Sequence, residues 1–255
     1  MQKILEMRQI SKAFYGVQAL KSVDFSVLRG ETHILLGENG AGKSTLVKIL
    51  SGAYQKDAGE IYFDGKKIEI STPLDAQQKG ISIIYQEFNL IPGLSVAENI
   101  FLGREPVKHN RLIDWRVLNH NAKTILARLH ADICPTALVA TLSVAEQQFV
   151  EIAKALSLGA KLIIMDEPTA TLTPAETERL FEVIRDLKKA GVSIIYISHH
   201  LDEIFEIGDR VTVLRDGELV ATDEIKNVTK DLIIRWMVGR DLTNTYPPRT
   251  AQPGE

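Results

Sequence analysis

Apolar positions along this chain recur in two rhythms. The first segments, ILEMRQI and ALKSVDFSV, place Leu20, Val23, Phe25 and Val27 at nearly every second position, which predicts strands. ETHILLG reads as a strand running into a glycine turn. KSTLVKILSG then shifts to a helical period from near Lys43 and is closed by Gly52. GEIYFDGKKIEI predicts a hairpin turning on Asp64-Gly65, and ISIIY (81–85) a buried strand. From about 87 to 158 the pattern is mostly helical, including DWRVLNHNAKTILARLH and VAEQQFVEIAKALSL. Afterwards apolar strands alternate with amphipathic helices: KLIIMDE, PAETERLFEVIRDLKKAG, VSIIYISHH, LDEIFEIGD, RVTVLRDGELVAT. That alternation implies a parallel sheet covered on both faces. The expected organisation is an α/β core over 1–240, with a small antiparallel β portion in front and a helical lobe inserted at about 87–158. TNTYPPRTAQPGE is polar and proline-rich, and 241–255 reads as a linker or disordered tail.

Composition narrows the function classes. With 255 residues, 45% of them hydrophobic, the chain can build one large domain around an ample core. A net charge of −3 gives no support to nucleic acid as a partner. The lone Cys134 excludes an internal disulfide and fits a reducing compartment. Charges interrupt MQKILEMRQISK every few residues, so it is no signal peptide, and no apolar run approaches the ~18 residues of a membrane span. The reading is of a soluble, cytoplasmic chain that can dock on a membrane component.

The chemistry concentrates in three places. GENGAGKST (37–45) fits G-x-x-x-x-G-K-[ST] between a strand and a helix. Its glycines let backbone N–H groups curl around phosphate oxygens, Lys43 supplies a point charge, Ser44 a hydroxyl for Mg²⁺, and the helix N-terminus a favourable dipole. LIIMDE (162–167) is a buried strand ending in Asp166, placed for a Mg²⁺ shell, and Glu167, placed to polarise an attacking water. Gln86 follows ISIIY, where its amide could contact a metal or water, or be an exposed loop glutamine. His199 follows VSIIYIS as a donor beside a γ-phosphate, or as a helix-capping or exposed histidine. Phe14, placed in a loop after the first strand, could stack on adenine or belong to the core.

The order aromatic, phosphate loop, Gln86, LSVAEQQ, Asp166-Glu167, Ser198-His199 resembles the nucleotide-binding domain of ABC transporters, over about residues 3–240. That resemblance implies a P-loop NTPase (RecA-like) core with an antiparallel β-subdomain and an inserted helical subdomain, and ATP and Mg²⁺ as ligands. It makes Phe14 the adenine-stacking aromatic, and Gly37, Asn39, Gly40, Ala41, Gly42, Lys43, Ser44 and Thr45 the phosphate cradle. Ser44, Gln86 and Asp166 hold the metal; Lys43, Glu167 and His199 serve catalysis. Longer stretches, STPLDAQQKGISIIYQEFNLIPGLSVAENIFLGREP, IDW, DEPTATLTPAE and WMVGRDL, are similar to importers of monosaccharides (ribose, galactose, xylose, arabinose) and of autoinducers. Those ATPases usually carry two such domains, and this chain resembles the first. The implied partners are a second nucleotide-binding domain, membrane permease subunits and, indirectly, a sugar-binding protein, at the cytoplasmic face of the membrane. An ABC-type ATPase with another solute or no transport role, and a nucleotide-gated module with little hydrolysis, are the alternatives.

Two features depart from the family pattern. Thr173 stands where the family usually has an aspartate, shortly after the Asp166-Glu167 pair. LSVAEQQ, which the resemblance makes the family's signature, facing the partner's site, has Val144 and Ala145 for its glycines and then Glu146. Ser143-Val144-Ala145-Glu146 is also an S-x-x-E capping box. Val144 and Ala145 would lean towards an arriving γ-phosphate, and the Glu146 charge would repel it, so the expectation is a weakened clamp beside an intact phosphate loop.

Overall fold

The computed structural model describes residues 2–239; the tail expected at 241–255 lies outside them. Among the described residues ten strands form two sheets. The first is antiparallel, in the order β2-β1-β4-β5, from β1 (Lys3–Phe14), β2 (Val17–Leu28), β4 (Ala58–Phe63) and β5 (Lys66–Ile68). The second has the order β10-β9-β3-β8-β7-β6, from β3 (Thr32–Leu36), β6 (Ile81–Ile84), β7 (Leu162–Asp166), β8 (Ser193–Ile197), β9 (Arg210–Arg215) and β10 (Glu218–Glu224). Its strands run parallel except β10, which returns antiparallel along β9. Among the described residues there are eight α-helices: α1 (Lys43–Leu50), α2 (Pro73–Gln78), α3 (Val96–Phe101), α4 (Trp115–Arg128), α5 (Val144–Ser157), α6 (Pro174–Lys189), α7 (Leu201–Ile207) and α8 (Lys230–Val238).

Uninterrupted apolar runs in the parallel strands resolve into two cores, because successive side chains point to opposite faces. Ile34, Leu36, Ile163, Met165, Ile194 and Tyr196 enter one core with the helical lobe. Leu35, Leu162, Ile164, Ile195 and Ile197 enter the other, with α1 and the antiparallel sheet. In the lobe, α4 contributes Leu118, Ala122 and Leu126, one i, i+4, i+8 stripe against α3 and α5.

The irregular spacing in the first strands has a local cause. Leu20 to Val23 and Met7 to Ile10 each skip one position, and Ser22 (φ 53°) and Gln9 (φ 52°) sit inside those skips with left-handed backbone. The β1–β2 ladder shifts register there, so bulges return the apolar side chains to the buried face. Two-residue turns with both φ positive join β4 to β5 at Asp64-Gly65 and β9 to β10 at Asp216-Gly217. The same geometry at Tyr15-Gly16 joins β1 to β2. Phe14 is therefore not a loop residue: it ends β1, paired with Val17.

Candidate functional site

Because β3, β6, β7 and β8 are parallel, their carboxyl ends open on one side of the sheet, and the motif residues follow directly from those ends. The glycine loop leaves β3 after Leu36 and enters α1 at Lys43. Gly37 has φ 151°, and a Cβ there would lie 2.3 Å from the Leu214 carbonyl oxygen. Gly42, at φ 104°, leaves no room either: a Cβ there would meet the Ala19 oxygen and Leu20 Cδ2, each at 2.8 Å. Gly40, by contrast, is left-handed at φ 85° with open space around it. Two glycines thus seat the loop against β9 and β2, and the third turns it at the solvent side.

A cavity of about 770 Å³ lies over this loop. Gly37, Glu38, Asn39 and Lys43 line one side; Gln86, Glu167, Ile197, Ser198, His199 and Met237 line the rest. An adjoining hollow is lined by Gln86 and Asp166 with Tyr85, Glu87 and Asn89, so Gln86 borders both. Lys43 Nζ donates to the Gly37 carbonyl at 2.6 Å and to the Glu38 carbonyl at 3.1 Å. Burial pushes the Lys43 ammonium pKa down, and the charges of Glu167 and then Asp166 oppose that. Burial, reinforced by the neighbouring Glu167, pushes the Asp166 pKa up against the pull of Lys43. A second cavity of equal volume, bordered by Glu31, Lys188 and Asp209, lies at the amino ends of the strands and includes none of the motif residues.

Glu167 is held in an uncommon conformation. Its φ is 50°, its N–H donates to the Ile197 carbonyl at 2.9 Å, and its Oε1 lies 3.0 Å from His199 Nδ1. Carboxylate oxygens only accept, so Nδ1 carries the proton in this pair. The ends of β7 and β8 are thereby tied by a backbone bond and a side-chain bond at once.

The structure gathers Gly37, Asn39, Lys43, Gln86, Glu167 and His199 around one space, with Asp166 beside it. Ser44 is exposed and Thr45 half-buried on the first turn of α1, and Ala41 is buried beneath the loop. Phe14 packs edge-on against Tyr54, ring centres 5.1 Å apart, with the Lys12 ammonium over its face, while the neighbouring Tyr15 is fully exposed. The signature residues do not border the cavity. Ser143 caps α5: its Oγ accepts from the Glu146 N–H, and Glu146 Oε2 accepts the Ser143 N–H at 2.8 Å. Of the two residues replacing glycines, Val144 is exposed and Ala145 is buried, so the crowding expected of both falls to Val144. Thr173 caps α6 in a second box with Glu176, the local duty an aspartate could also perform.

Sequence reasoning gave no role of their own to Glu38, Ser198 and Met237. Glu38 sits inside the glycine loop motif and could have been found there. Met237 comes from α8 and reaches the cavity only through the fold. The grip of α5 on the Gln86 loop was also missed: buried Glu151 accepts the Asn89 N–H at 2.7 Å, and Lys154 donates to the Asn89 carbonyl at 3.1 Å.

The profile of the ABC transporter family matches residues 20–170, more than half of the chain. The chain belongs to the ABC transporter family. It is 53% identical over 255 residues to the ribose import ATP-binding protein RbsA 1 of Rubrobacter xylanophilus, covering 100% of this chain and 51% of that protein. It is 54% identical over 250 residues to the putative ribose/galactose/methyl galactoside import ATP-binding protein 1 of Agrobacterium fabrum, covering 98% of this chain and 49% of that one. The chain thus spans about half the length of these curated relatives. Among solved structures it resembles an ATP-binding cassette of an ABC transporter in its ADP conformation, with TM-score 0.82 and 29% identity over 94% of this chain and 100% of that one. A nucleotide-free cassette gives TM-score 0.81 at 28% identity, again over 94% of this chain and 100% of that one. The family and the P-loop NTPase fold expected from the motif order are both borne out. Among the described residues no helix is long and apolar enough to cross a membrane.

Proposed function

We propose that this chain binds and hydrolyses Mg-ATP as one nucleotide-binding domain of an ABC importer of monosaccharides. The observation that carries the reading is the single cavity in which the glycine loop and Lys43 face Gln86, Glu167 and the Glu167–His199 pair. Glycines at Gly37 and Gly42 with no room for a methyl, a left-handed Gly40 and a cationic Lys43 at a helix start fit a polyphosphate. Backbone N–H groups of the loop and Lys43 hold phosphate charge; Glu167 orients and polarises water, with His199 as its fixed donor neighbour. Among the described residues no three His, Cys, Asp or Glu side chains cluster into a metal site. A cation would therefore rest on phosphate oxygens together with Ser44, Gln86 and Asp166, the usual situation for Mg²⁺. When bound, Mg²⁺ neutralises charge on the phosphates.

The relatives named as ribose or galactoside import ATP-binding proteins support a monosaccharide as the solute. Their doubled length supports a second nucleotide-binding domain as partner, with permease subunits of the membrane and a sugar-binding protein beyond them, on the cytoplasmic face. The capped signature adds an asymmetry. Glu146 already occupies the Ser143 N–H, so this chain supplies a strong phosphate loop and a poor signature, and a competent site needs the partner's signature.

Phosphate release and Mg-ATP binding by the chain, with Lys43→Ala beside it, test the reading. Binding that Lys43→Ala weakens about tenfold or more supports it. A chain that binds no ATP, or binds it equally well without Lys43, refutes it.

A further inference from the structure

Behind the Glu167–His199 pair lies a second polar group that does not border the cavity. Glu203, the third residue of α7, is half-buried and accepts three hydroxyl hydrogen bonds. Its Oε1 takes Thr169 Oγ1 at 2.8 Å; its Oε2 takes Ser198 Oγ and the Tyr196 phenol, each at 2.8 Å. All three hydroxyl residues are buried, and Tyr196 has no exposure at all. Burial raises the Tyr196 pKa, which keeps the phenol a donor. Ser198 Oγ in turn accepts the His200 N–H at 3.0 Å, so its hydrogen bonds bracket His199 on both sides.

The placement of these donors matters more than their number. Tyr196 lies within β8, but Thr169 is two residues past Glu167, and Ser198 immediately precedes His199. One carboxylate therefore joins the segment leaving β7 to the segment leaving β8, and the two residues that must meet, Glu167 and His199, are carried on those segments. A group that only satisfied buried hydroxyls could sit anywhere beneath the sheet. This one fastens both shoulders of the pair.

We propose that Glu203 is a positioning residue: it fixes the segments after β7 and β8 so that His199 Nδ1 meets Glu167, and it governs the hydrolysis rate without touching nucleotide. The proposal rests on the ATP-hydrolysing reading above. Because β7 and β8 are already paired up to Asp166 and Ile197, the influence of Glu203 falls on the residues just beyond.

The test uses the whole 255-residue chain. Glu203→Gln keeps the shape but sets an amide N–H₂ against hydroxyls that had an oxygen acceptor. The expected result is phosphate release slowed about tenfold or more, with Mg-ATP affinity held within about twofold. In two-bond ¹H–¹⁵N spectra, His199 should change from the Nδ1-protonated tautomer to a mixture. Thr169→Val, which removes only the tie to the β7 side and leaves the half-buried carboxylate two partners, should act in the same direction and guards against a Glu203 variant that fails to fold. Wild-type rate and an unchanged His199 tautomer in both variants, with only a lower Tm, would overturn the proposal. So would affinity falling in step with rate. A wild-type chain that neither binds nor hydrolyses ATP would refute the functional reading instead, and the His199 tautomer would still decide whether Glu203 positions the pair.

Discussion

Replacing Glu146 by Gln isolates the cost of a carboxylate at the signature. In the structure Glu146 Oε2 accepts the Ser143 N–H at 2.8 Å, so a negative charge is fixed over the first turn of α5. A phosphate on the neighbouring first-turn N–H groups would stand roughly 8 Å from it, which at an effective dielectric of about 20 gives a repulsion of about 2 kcal/mol. That corresponds to roughly thirtyfold in affinity for each contact, less at high salt. Gln keeps the reciprocal cap, so the helix loses only a charge–dipole interaction of about 0.3–1 kcal/mol, or at most a few °C in Tm. The assay is Mg-ATP-dependent self-association by sedimentation, in a Glu167→Gln background that arrests hydrolysis. Glu146→Gln should tighten association by about thirtyfold for each such contact, and adding Val144→Gly should tighten it further because Val144 is the exposed residue. Unchanged association with unchanged Tm would refute the clamp argument.

Three other outcomes follow from the geometry. Gly37→Ala should cost stability and weaken Mg-ATP binding about tenfold or more, because its methyl meets the Leu214 carbonyl; Gly40→Ala, in open space, should cost only about 1 kcal/mol by thermal melting. His199→Ala should leave Mg-ATP binding within about twofold while slowing phosphate release about a hundredfold or more in rapid-quench measurements. Burial holds the Glu151 pKa above its ordinary 4.5, against the pull of Lys154 and of the Asn89 N–H. A carboxyl with a raised native pKa destabilises the fold as pH climbs from its ordinary value through the native one, and has no effect below both. Glu151→Gln, which keeps an acceptor for Asn89, should therefore melt a few °C above wild type at pH 7, with the difference vanishing below about pH 4.5.

Much of this molecule was legible because its chemistry is written in contiguous residues. GENGAGKST and LIIMDE carry phosphate and acid chemistry in two short runs, and unbroken apolar stretches reveal strands buried on both faces. The strand ends then converge because the sheet is parallel. What escaped the sequence depends on backbone detail or distant return. Phe14 looked like a loop residue because Tyr15-Gly16 signals a turn, yet a two-residue turn leaves Phe14 in the ladder. Ala145 looked like an obstacle to phosphate, but the helix start turns it inward. Met237 and Glu203 belong to helices whose pattern reports only amphipathicity, and neither carries a motif. The hydroxyls of Thr169, Tyr196 and Ser198 are ordinary residues until one carboxylate is found to receive all three.

The central claim is that Glu167, locked to His199 at the end of β7, activates water over a phosphate held by Lys43. Single-turnover phosphate release by the Glu167→Gln chain at saturating Mg-ATP tests it most directly. The account predicts Mg-ATP affinity within about twofold of wild type and hydrolysis at least about a hundredfold slower. Hydrolysis at the wild-type rate would remove Glu167 from the reaction and contradict the account.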